Sequence, residues 1–198
     1  MCGDKKIHSI GRKIKNTFQQ RRQSWLGVFL FTVLFLSVAV PCMAGEVWVA
    51  NMKGANVQVI DTSSNQVIKT IATGAGAHNV TFSPDGKLAY IANLGTNSIT
   101  VIDAMSKEVL ADIVTDTKAH DVAVSRDGKT AVVCNVGAGN ITFIDVASRK
   151  AVHTMATGKK AITAVFSYDG NTLYVVNAGD ANISVVDVKS KTITQARQ

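Results

Sequence analysis

Cysteine is scarce, with Cys2, Cys42 and Cys134 the only three in 198 residues. Only Cys134 lies beyond the leader described below, so the main body has no pair for an internal disulfide and must stand on packing alone. Its equivalents elsewhere in the chain are Ala50, Ala92 and Val176, which reads as a small buried apolar side chain and not a reactive thiol. Positive charge is lacking where it would matter. The chain carries +7, but residues 1–44 hold seven of its 21 Lys and Arg and one of its 14 acids. The remainder sets 14 bases against 13 acids, a net of +1, which gives no field for holding nucleic acid. A Cys-x-x-Cys-His haem attachment is missing, and no nucleophile, base and orienting group assemble from the sequence. Gly74-Ala75-Gly76 is no nucleotide loop, because a strand follows it in place of a helix.

The leader is of a different kind from the rest. Residues 1–24 are polar and basic, Trp25 to Val40 carry no charge, and Pro41-Cys42-Met43-Ala44 follows. A basic region, an apolar region and small residues before Gly45 read as a secretory signal cut after Ala44. The rival is an uncleaved N-terminal membrane anchor. Sixteen apolar residues make a helix of about 24 Å, short of the ~30 Å hydrocarbon core, so a span must borrow from Pro41–Ala44. Under both readings the basic flank stays inside and the body is exported to the periplasm, the cell surface or beyond. Membrane contact is expected only through residues 25–44, and only if they are retained.

What the body has in abundance is repetition. Asn51, Asn93, Asn135 and Asn177 close apolar runs at intervals of 42 residues, and Asp61, Asp103, Asp145 and Asp187 keep the same interval. Ser64, Ser106, Ser148 and Ser190 do too, as do Gly86, Gly128 and Gly170. Such a period means a stack of one supersecondary unit that cannot bury its apolar surface alone. In the second repeat, Asn79–Ser83 predicts a strand, Pro84-Asp85-Gly86 a hairpin turn, and Leu88–Asn93 the next strand. A turn through Gly95 and Asn97 leads to Ile99–Asp103, with glycine recurring as Gly54, Gly137 and Gly179. The recurrent Asp is expected to accept backbone N–H groups of the turn that holds the recurrent Ser, with no catalytic role. Leu88–Asn93 and Ile99–Asp103 are apolar on both faces, so the sheets are covered on both sides. The fourth strand, with Lys69 and Asp112, is polar and outermost. The expected fold is all-β, a propeller of four-stranded antiparallel blades.

The runs Trp48–Asn51, Tyr90–Asn93, Val132–Asn135 and Tyr174–Asn177, with Ser-x-Asp-Gly turns ahead of them, resemble the YVTN β-propeller repeat family over residues 46–195. The resemblance implies an exported bacterial or archaeal protein. It also relates the chain to propellers of amine dehydrogenases, copper nitrous-oxide reductases, haem nitrite reductases and lactone hydrolases. The blades fall at about 46–73, 79–115, 121–157 and 163–195. The first opens at its second strand, so fifteen strands make three and three-quarter blades of an open or incomplete ring. Two apolar blade faces are then expected to be bare, and a protein partner or a second copy of the chain to cover them. A two-chain ring and a shortened longer propeller fit that count equally.

The candidate site residues are His78 and His120, equivalent positions placed just ahead of the innermost strand, where the resemblance implies the mouth of a central channel. A pair on neighbouring blades suits a shared metal, although the third repeat has Ile162 there. His153 falls on an outer strand and reads as surface. The leading expectation is a non-catalytic binding or scaffolding propeller with no cofactor. The alternative is a subunit or fragment of a periplasmic redox propeller enzyme, with copper or haem near the two histidines.

Overall fold

A computed structural model of the chain describes residues 45–197; the leader, with its signal or anchor, lies outside them. Fifteen strands form four antiparallel sheets. The first sheet is β1 (Glu46–Asn51), β2 (Asn56–Asp61) and β3 (Gln66–Ala72). The second is β4 (Ala77–Phe82), β5 (Leu88–Asn93), β6 (Ser98–Asp103) and β7 (Val109–Val114). The third is β8 (Ala119–Val124), β9 (Thr130–Asn135), β10 (Asn140–Asp145) and β11 (Lys150–Ala156). The fourth is β12 (Ala161–Phe166), β13 (Thr172–Asn177), β14 (Asn182–Asp187) and β15 (Thr192–Arg197). Each sheet runs in chain order from inside to outside, which makes a propeller of about three and three-quarter blades, as expected.

The turns work as their chemistry predicts. Asp103 Oδ1 accepts the N–H groups of Met105 at 3.0 Å and Ser106 at 2.8 Å, and Asp61, Asp145 and Asp187 likewise accept the N–H of Ser64, Ser148 and Ser190. In the Ser-x-Asp-Gly hairpins, the Ser83 hydroxyl donates to Asp85 at 2.6 Å and accepts the N–H of Leu88 at 2.9 Å. Gly86 there has φ of 71°, a conformation glycine adopts without strain. The other glycine turn is built differently. Positive φ falls on Ala55, Asn97, Gly139 and Ala181, not on the recurrent glycine. Gly95, Gly137 and Gly179 are needed for close approach instead, since a Cβ on each would sit 2.9 Å from a carbonyl of the loop before the inner strand.

These turns give a pH dependence with a definite sign. The Ser63 hydroxyl and Ser64 N–H hold Asp61 at about 2, and the Ser167 hydroxyl does the same for Asp169. Asp85, Asp103, Asp127, Asp145 and Asp187 are also lowered by their turn serines. A folded value below the unfolded ~3.9 contributes stability that is complete above about pH 4 and disappears as pH falls through the folded values. Urea unfolding should therefore give a flat stability from neutral pH to about pH 5 and a decline between about pH 4 and 2. A curve still flat at the acid end would mean that the turn bonds add nothing.

Each blade carries a bulge in its outer strand. The outer strands shift register opposite Val59/Ile60, Val101/Ile102, Phe143/Ile144 and Val185/Val186. A bulge increases the local twist of an edge strand and blunts it as a template for pairing. Three apolar clusters then join the blades in series. Val57 and Val59 of β2 pack with Ala89 and Ile91 of β5; Tyr90 and Ile99 pack with Val122 and Val133; Phe143 and Ile141 pack with Leu173 and Val175. The core is therefore three blade-to-blade seams.

Candidate functional site at the inner strands

His78 and His120 lie inside the inner strands β4 and β8, not ahead of them. The register between β4 and β5 jumps between Ala77 and Asn79, and that between β8 and β9 between Ala119 and Asp121. Each histidine is thus the extra residue of a bulge, as Ile162 is in β12. A bulge re-aims the side chain that a regular strand would send to one face. Here it brings the two imidazoles together, with ring centroids 4.3 Å apart and planes tilted by 38°. His120 Nδ1 lies 2.8 Å from the carbonyl oxygen of Ile162, so the ladder continues into a third blade. His78 is exposed and His120 half-buried. His153 sits exposed on β11 with its ring 6.0 Å from Phe143, a surface position as expected.

The next rung was not singled out in the sequence. Asp121 takes the amide of Asn79 on Oδ1 and the hydroxyl of Thr163 on Oδ2, the latter at 2.6 Å. One carboxylate therefore clasps three successive blades through residues 79, 121 and 163. The signal was present as three polar residues at the 42-residue interval, immediately after the His, His, Ile series. Another such series, Pro84, Arg126 and Tyr168, lies in the hairpin turns, where the Arg126 guanidinium stacks 3.8 Å above the Tyr168 ring.

The remaining candidates are structural. Cys134 is fully buried between Val132 and Ile141, and burial pushes its thiol far up, which keeps the nucleophilic thiolate from forming. The Asn140 amide and the Thr117 N–H hold Asp116 low in the loop before β8. Gly74 leaves room for Asn93, whose Nδ2 would lie 2.8 Å from a Cβ there, and Gly76 has φ of 76°. The Gly74-Ala75-Gly76 run is thus a packing feature. Among the described residues, no group of three or more His, Cys, Asp or Glu is placed to hold a metal ion.

A family model described as YNCE-like beta-propeller matches residues 45–172. Hydrazine synthase from Kuenenia stuttgartiensis is similar in structure, with a TM-score of 0.71 and 24% identity over 77% of this chain and 45% of that one. This chain thus spans less than half of the length of that relative, and at such identity the likeness shows the fold alone. Solved chains that match number 1337, so the architecture hosts much and identifies no activity by itself. No curated protein matches the chain.

Proposed function

The chain belongs to the YNCE-like β-propeller family, and from that premise we propose that it is an exported, non-catalytic binding and scaffolding module built of YVTN-type repeats. The leader sequence supports export to the periplasm or cell surface. One observation carries the binding role. Positions that are sealed between blades elsewhere are open on the outward faces of the first and fourth sheets. Tyr90 and Val132 are buried, while their equivalent Tyr174 is 42% exposed; Ile99 and Ile141 are buried, while Ile183 is 41% exposed. On the first sheet, Val47 and Val49 are 48% and 38% exposed, against 0% for Ala89 and Ile91. These two faces are the two halves of the seam that joins every other pair of blades. The occupant that fits both is a second copy of this chain, docked head to tail.

Sedimentation velocity tests the proposal. The purified chain should sediment at twice its mass, and Ile183→Asp combined with Val49→Asp should return it to one copy. A wild-type chain that stays single at micromolar concentration would overturn the self-docking. A second reading, a subunit or fragment of a periplasmic redox propeller enzyme using copper or haem, is favoured by the paired His78 and His120. It requires electron transfer by a bound cofactor, and loss of that transfer in His78→Ala/His120→Ala.

A further inference from the structure

The inner-strand bulges prepare a ligand set. The carbonyl of Ile162 has no hydrogen to give, so at 2.8 Å the contact with His120 Nδ1 is a bond donated by the ring. In the neutral ring that bond fixes the tautomer, with the hydrogen on Nδ1 and the lone pair on Nε2. A ring nitrogen anchored to a backbone carbonyl is the outer-shell arrangement that orients a metal-ligating histidine and raises its basicity. Ordinary packing of a surface histidine does not require it.

The second ligand is already alongside. Metal–imidazole bonds are about 2.0–2.1 Å long, so a shared ion needs its two donor nitrogens within about 4 Å of each other. With ring centroids 4.3 Å apart, the His78 and His120 imidazoles are direct neighbours on adjacent blades. Asp121, the neighbouring carboxylate, gives one oxygen to Asn79 and the other to Thr163. It holds the three inner strands in place, and with them the spacing of the two rings.

We propose that His78 and His120 together form a two-histidine site for one late first-row divalent cation, Cu2+ in preference to Zn2+. Imidazole suits both ions, and affinity at a given nitrogen site peaks at Cu2+. Two protein ligands leave the other positions of the ion to water or to a small exogenous ligand. The site is independent of what covers the blade faces. It equally needs no redox cycling, so it separates from the enzyme reading.

Titration of the purified full chain with Cu2+ alone, by calorimetry and electron paramagnetic resonance, tests the site. One ion per chain is expected, with hyperfine coupling to two imidazole nitrogens. His78→Ala and His120→Ala should each weaken binding at least about tenfold, while His153→Ala should change it less than about twofold. Thermal unfolding of each variant without metal checks that the inner strands remain folded, and His120→Gln gives a polar replacement if the alanine variant does not. Nitrogen-15 shifts of the metal-free chain should show His120 with its hydrogen on Nδ1. The proposal is overturned if His78→Ala binds as tightly as wild type, if the double variant keeps the stoichiometric site, or if wild type binds no ion above the double variant.

Discussion

Phe143→Ala is expected to lower the stability of the chain by about 3–5 kcal/mol, among the largest effects of any single change. Phe143 is one of the largest fully buried side chains and fills the seam between the third and fourth blades, against Leu173, Val175 and Ala161. Truncation removes the transfer energy of the ring and leaves a cavity that flanking sheets cannot close, because backbone hydrogen bonds fix their separation. The contrast lies 42 residues on. Val185 holds the same place in the fourth blade but is only half-buried, on the outward face. Val185→Ala should cost about 1 kcal/mol or less in the single chain. Urea unfolding of both variants at a concentration where the chain is single reads the difference directly. A Phe143→Ala cost as small as that of Val185→Ala would mean that the seam is not packed as a core.

Asn135→Ala is expected to cost about 2–4 kcal/mol, although it removes only a small polar group. The Asn135 amide donates to Asn140 Oδ1 at 2.8 Å and to Thr142 Oγ1 at 2.9 Å, and its own oxygen accepts the Asp116 N–H at 3.3 Å. One side chain thus ties the β9–β10 turn to the loop that precedes β8. All of this happens at a residue with no exposure, and each buried group left without a partner costs about 1–3 kcal/mol. Asn51 makes the corresponding bond to Asn56 at 2.9 Å but is only half-buried, so water replaces much of what Asn51→Ala removes. That variant should lose about 1 kcal/mol. Equal losses at the two positions would show that the asparagine acts through its own turn alone, without the loop contact that Asn135 makes.

The recurrent asparagine is conspicuous in the sequence because its work is local. Asn51, Asn93, Asn135 and Asn177 do the same local work five and seven residues along the chain, on Asn56, on Ser98 and Thr100, on Asn140 and Thr142, and on Asn182 and Ser184. Contacts that short are written in the spacing of the sequence. So are the aspartate-capped turns, since Asp61 and its equivalents reach only two or three residues ahead. Gly95 shows the limit of such reading. Its place in a turn was legible, but its purpose was not, because the atom it makes room for is Ala75 O in a different loop.

The all-β class, the four-stranded unit, the number of strands and the turns that separate them are all legible along the chain. Each follows from alternation, turn chemistry and a fixed period, which act over a few residues at a time. Where the polar side chains meet depends instead on how the strands pair and the blades stack. The bulges that turn His78 and His120 toward each other depend on a register jump between paired strands, and the Asp121 clasp joins residues 42 apart on three blades. Identical repeat positions became core in Phe143 and half-buried in Val185 because burial depends on which blade stands alongside, and no residue's own side chain encodes that.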